Sequence, residues 1–242
     1  MNILRPVLPI IAIASALTLS SCSQDNTILY NDIALGDIVS GKFVSDAGLT
    51  YTPVEQNCEG RLDTMGRAVI RCDILKRVSP SEYEVRLNEM SKVLRKDCLI
   101  KDEVEDLEAL GDDPALISKA WISGGYLNLA TQITFITGSK KTHTLNLVYD
   151  NSVSSSDTLH FHLLHNSYKE CYPTRKMIDD GDYPTGAEYS AGIAYASFPI
   201  MTFLPEGKES VPIKVHYTWY VSSEGKLTPD TYQAYVQGFI VR

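Results

Sequence analysis

The chain has 242 residues, 44% of them hydrophobic and 21% charged, the balance of a globular protein rather than a disordered one. Acidic side chains number 30 against 22 basic ones, a net charge of -8. Such a surface repels phosphate backbones and argues against nucleic acid as a partner, and the length suits two domains of ordinary size.

Residues 1–21 read as a lipoprotein signal peptide. Arg5 supplies the positive flank, and Val7 to Leu19 is an apolar run broken only by Pro9, Ser15 and Thr18. The run is shorter than the roughly 20 residues a spanning helix needs and has the length of a secretory core. It closes on Leu19-Ser20-Ser21-Cys22, which resembles the bacterial lipobox of a branched apolar residue, two small ones and a cysteine. That resemblance implies cleavage before Cys22 and lipid on its thiol and new amine, so Cys22 is the expected attachment point to a membrane. Residues 22–30, with Ser23-Gln24-Asp25-Asn26, read as a short polar tether. The expected address is the Gram-negative cell envelope, at the outer membrane, with the periplasmic and surface faces both open. No second apolar run is long enough to span a bilayer.

From there on, nearly every segment alternates apolar and polar residues with period two, which predicts an all-β fold. Residues 31–101 form a first unit with strands over Asp37–Val44, Gly48–Pro53, Arg67–Val78 and Glu82–Leu94, the last two joined at Ser79-Pro80-Ser81. A helical stripe also fits Glu82 to Asp97, but Tyr83, Val85 and Leu87 alternate and favour strand. Short strands in this number suit a small barrel. Residues 102–117 contain acids at 102, 103, 105, 106, 108, 112 and 113 and read as a solvated linker.

Residues 118–242 then read as an antiparallel β-sandwich. Leu127, Leu129, Thr131, Ile133 and Phe135 make one inward row, Leu145, Leu147 and Tyr149 a second, and Leu159, Phe161 and Leu163 a third. Matching apolar to apolar sets 145 opposite 163, 147 opposite 161 and 149 opposite 159. Later strands are expected over Ile193–Phe203, Val211–Tyr220 and Tyr232–Val241, with Tyr217 and Trp219 inward.

The lipobox, the small barrel, the segment Trp121-Ile122-Ser123-Gly124-Gly125-Tyr126-Leu127-Asn128-Leu129 and the segment His143-Thr144-Leu145-Asn146-Leu147-Val148 together resemble the NigD-like lipoprotein family. The resemblance spans nearly the whole mature chain. It implies an OB-like barrel followed by a β-sandwich, and a bacteriocin-immunity role proposed for the family by gene association. It brings no catalytic or binding residue beyond Cys22.

Candidate sites are few. Cys58, Cys72, Cys98 and Cys171 are an even number in an oxidising compartment and allow three complete pairings. Cys72 falls on the apolar side of its strand. Extending the hairpin about Ser79-Pro80 brings Cys58 near Cys98, so a Cys58–Cys98 disulfide and free thiols are the competing readings. None of the four has a neighbouring His or a CxxC spacing, which speaks against thiol catalysis and zinc. His143 falls opposite His165 on the inward face, while His160 and His162 point outward. That split forms no set of three converging ligands, so no metal is expected. Asp179-Asp180-Gly181-Asp182 lacks the spacing of a calcium loop, no G-x-S-x-G occurs, and Gly124-Gly125 carries no phosphate-loop lysine. The expectation is a protein that is not an enzyme, needs no cofactor, and binds an unknown envelope protein. The alternative is a surface carbohydrate-binding protein that uses some of the 14 tyrosines.

Overall fold

The computed structural model describes residues 29–208, 210–223 and 226–239. The expected signal peptide, Cys22 and all but the end of the 22–30 tether lie outside the described residues.

Five strands build the first unit: β1 (Tyr30–Val39), β2 (Lys42–Ser45), β3 (Thr50–Gln56), β4 (Arg67–Ser79) and β5 (Glu82–Arg95). They follow the order β3-β2-β1-β4-β5, and a parallel pairing of β3 with β5 closes the sheet on itself. This closed five-strand order is that of an OB-type barrel. Its interior holds Phe43, Tyr51, Ile70, Cys72, Ile74, Val85 and Leu87, all 0–1% exposed. The period-two rows of β4 and β5 therefore face inward, which settles Glu82–Arg95 as strand. β1 enters at the end of the barrel remote from the rest of the chain, with Tyr30 opposite Ile74, and runs toward Asp37 opposite Arg67.

The second unit stacks two sheets. One contains β7 (Ala115–Ser123), β8 (Tyr126–Ile136) and β11 (Tyr189–Pro199); the other contains β6 (Leu99–Ile100), β9 (Thr144–Tyr149), β10 (Leu159–Asn166), β12 (Ser210–Ser223) and β13 (Lys226–Phe239). Between them lie Leu127, Leu129, Leu147, Phe161, Phe198 and Ile213, each 0% exposed. The fold is all-β, with a β-sandwich. The first sheet does not stop at the sandwich. Tyr195–Ser197 of β11 pairs in parallel with Val93–Arg95 of β5, so one eight-stranded sheet runs from barrel into sandwich.

Several details differ from the expectations. The first expected strand, Asp37–Val44, is two strands, because Ser40 (φ 51°) and Gly41 (φ 78°) turn the chain through a tight hairpin. The β9–β10 register is shifted by two residues: Phe161 faces Tyr149, Leu163 faces Leu147 and His165 faces Leu145. A two-residue shift keeps every side chain on its face, so the core rows survive it. Two ladders run parallel (β6–β9 and β10–β12) inside a sandwich expected to be antiparallel throughout, as does the β5–β11 ladder that joins it to the barrel. For β10 and β12 the reason is the connection, which crosses to the other sheet as β11 before returning. β11 ends at Pro199 rather than Phe203, and Met201–Phe203 is a 3-10 turn. Leu99–Ile100, read as the end of the first unit, pairs with β9, and β7 begins at Ala115 within the stretch read as linker. That stretch is tied down: Asp112 accepts from Thr218 (2.5 Å), and Asp113 accepts from the Ser167 hydroxyl (2.6 Å).

Candidate functional site

Barrel and sandwich meet at Arg67, the first residue of β4, which is 1% exposed. Its guanidinium donates to both Asp46 oxygens (2.9 and 2.7 Å), to Ser197 Oγ (2.9 Å) and to Asn128 Oδ1 (3.2 Å), with the Tyr126 ring 4.5 Å away. Burial works against the charge, but Asp46 and Asp37 outweigh it and hold the guanidinium protonated. Asp46 also accepts from Ser123 Oγ (2.6 Å), and at Gly124 (φ +58°) a Cβ would sit 2.6 Å from Asp46 Oδ1. The Gly124-Gly125 turn is therefore glycine for close approach and not for phosphate. Arg67, Asp46, Ser123, Ser197 and Asn128 are all hydrogen-bonded within this knot, and Asp37 Oδ1 lies 3.3 Å from Arg67 Nη1, which makes it a structural clamp.

Beside the knot, along the seam between β5, β8 and β11, lies a cavity of about 440 Å3. Its walls are aliphatic and aromatic: Leu94, Ile133, Phe135 and Ile193, with Leu94 39% and Ile193 50% exposed at the rim. Its polar lining includes Lys141, His143 and Glu170. His143 comes from the turn before β9, and His165 from β10 meets it from below. His143 Nδ1 lies 3.1 Å from His165 Nε2, and His165 Nδ1 lies 3.2 Å from the Pro114 carbonyl. That carbonyl can only accept, so the His165 proton is on Nδ1 and its Nε2 accepts from His143 Nδ1–H. Burial lowers the pKa of both rings, that of His165 to about 4. The inward histidine pair expected from strand parity thus forms, but through a turn residue two positions before Leu145, the residue opposite His165.

On the opposite face of β10 a second group gathers. β12 pairs in parallel with β10 and sets His216 beside His162. His160 Nδ1 lies 3.0 Å from His216 Nε2, and the His162 and His216 rings stack with centroids 4.8 Å apart. His162 also reaches Asp150 Oδ2 (3.1 Å), which Lys101 Nζ meets at 2.7 Å. Burial alone would raise Asp150, but these bonds and that from Ser152 hold it well below the usual carboxylate range. Burial lowers both His160 and His216, with Lys214 acting next on the first and the other two histidines on the second. The sequence placed these rings outward but missed His216, since nothing local announces a parallel pairing across some 50 residues. Among the described residues no three His, Cys, Asp or Glu converge as a metal set.

The structure does not bring Cys58 to Cys98. Cys58 packs against the barrel core and Cys98 against the sandwich core, and both are free thiols, as are buried Cys72 and Cys171. The hairpin extension that would join them fails because Leu62–Thr64 forms a 3-10 turn and Gly66 a left-handed bend, which lead Cys58 away from the β4 line. Burial pushes the Cys72 thiol up to about 12, so it behaves as core. Asp179, Asp180 and Asp182 are taken up by Arg175, Lys176 and Lys169 around the short helix α1 (Arg175–Asp180). Tyr217 and Trp219, expected in the core, are half-buried, because the fully buried row on β12 ends at Val215.

Residues 98–177 match the family described as NigD-like C-terminal beta sandwich domain. The chain carries a NigD-like β-sandwich. Three solved structures share the fold over most of their length. A NigD-like immunity protein from Bacteroides caccae is 15% identical, covers 85% of this chain and 96% of its own, and has a TM-score of 0.55. A Bacteroides fragilis protein assigned as a lipoprotein is 12% identical over 86% of this chain and 97% of its own, with a TM-score of 0.57. A protein of unknown function (DUF1344) from Bacteroides vulgatus is 18% identical over 85% and 91%, with a TM-score of 0.55. At these identities the likeness is one of fold. No curated protein matches the chain. Within the NigD-like segment fall His143, His165 and Glu170, whereas Leu94 and Ile193 come from outside it. The seam cavity is therefore made jointly by the NigD-like segment and the strands that flank it.

Proposed function

We propose that the chain is a lipid-anchored, non-catalytic protein of the cell envelope that acts by binding a protein partner, in the manner of a bacteriocin-immunity protein. The observation that carries this reading is the seam cavity with its exposed aliphatic rim at Leu94 and Ile193. Apolar rims of this kind suit protein contact. The exposed aromatics Tyr30 and Tyr235 lie on β1 and β13, and Tyr168 and Tyr172 in the loop between β10 and α1; Tyr172 meets Tyr189 and Tyr220 edge-on and not as a coplanar row, which favours a protein over a glycan. The anchor rests on the lipobox at Cys22; among the described residues no helix is long and apolar enough to cross a membrane. The immunity label rests on the likeness to the Bacteroides caccae protein and on the NigD-like segment.

A photo-crosslinking side chain at Ile193 of the full-length, lipidated chain in its own host tests the binding role. One discrete envelope or antibacterial protein should be captured there and lost when Leu94 is changed to Glu. Glycan-array binding without any captured protein would favour the carbohydrate alternative, and turnover on a panel of hydrolase substrates would remove the non-catalytic reading. Cys22→Ala should move the protein out of the membrane fraction or leave it unprocessed.

A further inference from the structure

The seam cavity is lined by two buried polar side chains, His143 and Glu170. At its floor His143 Nε2 and Glu170 Oε2 lie 4.0 Å apart, and the two side chains are 6% and 11% exposed. Neither atom has a hydrogen-bond partner among the described residues. Their polarity follows from the chain of contacts behind them. His165 donates through Nδ1 to the Pro114 carbonyl, so its Nε2 accepts and the His143 proton is on Nδ1. A neutral His143 then presents a lone pair at Nε2, and burial, the main cause of its lowered pKa, favours that neutral form. Glu170 Oε2 is an acceptor as well. Two acceptors thus face one spot from a buried position, an arrangement that is costly until a group with several donors stands between them.

We propose that the seam cavity binds a primary alkylammonium group. The ammonium sits at Glu170 Oε2 and His143 Nε2, and its hydrocarbon stem lies along Leu94, Ile133 and Ile193. An ammonium has three donors and a full charge, so it satisfies both acceptors at once and is drawn by the carboxylate. A hydroxyl has only one donor and leaves one acceptor bare. A carboxylate would meet two acceptors and be repelled. Lys141 does not fill this role itself: its ammonium lies 3.5 Å from the other oxygen, Oε1, and 3.1 Å from the Tyr168 carbonyl. The aliphatic walls lead from the floor out to the rim at Ile193, which matches a hydrocarbon stem carrying a charge at one end. The same chemistry arises from a free small amine or from a lysine side chain on a protein.

Calorimetric titration of the intact mature protein with hexylamine, hexan-1-ol and hexanoate at equal chain length tests this directly. Hexylamine should bind at least tenfold more tightly than either of the others. Glu170→Gln should remove that preference at unchanged thermal midpoint and circular dichroism. Should Glu170→Gln fail to fold, Ile193→Trp, at a half-exposed rim position, should obstruct the stem and weaken hexylamine at least tenfold. Equal affinity for amine and alcohol overturns the proposal, as does no binding at saturating amine, which would leave only water between the two acceptors. Nα-acetyl-lysine amide forms the second arm. Tighter binding than hexylamine assigns the site to a partner's lysine, and weaker binding assigns it to a free amine. Because the site stands on the chemistry of its floor, failure of the amine titration leaves the crosslinking test of the protein-binding role untouched.

Discussion

His165 is 1% exposed and neutral, donating to one carbonyl and accepting from one imidazole. Burial lowers its pKa to about 4 from an ordinary value of 6.5, with the neighbouring His143 acting in the same direction. The unfolded chain takes up this proton near 6.5 and the folded chain resists it. The neutral ring therefore contributes stability that is complete above pH 6.5 and is lost as pH falls toward 4. A shift of that size corresponds to on the order of 3 kcal/mol. Urea midpoints between pH 7.5 and 4.5 should fall for the native chain and fall less for His165→Gln; equal slopes would assign the acid sensitivity elsewhere. That His143 and His165 meet was legible in the sequence, because strand parity survives a two-residue register error. The second face was not. His216 joins His160 and His162 through a parallel pairing that leaves no local pattern. Arg67 was equally silent, since a basic residue at the start of a strand gives no sign that two acids, an amide and a serine will close over it.

Among the elements, β1 pairs with β2 at Gly36, opposite Ser45. A Cβ built there would lie 2.1 Å from the Val44 carbonyl oxygen, a backbone atom that cannot turn aside. Gly36→Ala should force the hairpin open and destabilise the protein by about 2 kcal/mol or more. Chemical denaturation would read the loss, and amide exchange should show it concentrated in β2; an unchanged midpoint would mean that the two strands have room to part. The existence of the strands was legible from alternation, and most of them lie where the apolar rows put them. Their ends were less so. Ser40-Gly41 reads as a turn only once both residues are seen in left-handed backbone, and Pro199 stops β11 where hydrophobicity alone would carry on to Phe203.

At the scale of the whole molecule, the continuous sheet through β5 and β11 and the buried Arg67 clamp join two cores into one cooperative body. Heating should therefore give a single calorimetric transition with matching van't Hoff enthalpy, not one for each unit. Arg67→Ala leaves Asp46 buried without its cation and should cost about 3–5 kcal/mol. Two resolved transitions in the native chain would show that barrel and sandwich unfold independently. The acidic run after β6 suggested a loose division, and composition could not reveal that Asp112 and Asp113 are bonded to the sandwich.

The direction of β1 has an architectural outcome. Tyr30 and Asp37 are separated by seven residues of extended strand, roughly 23 Å, with Asp37 at the junction and Tyr30 at the distal mouth of the barrel. A chain fastened upstream of Leu29 would hold the barrel as a pedestal and raise the sandwich above it. The seam, flanking that pedestal's upper rim, would then stand about one barrel's length beyond the point of entry.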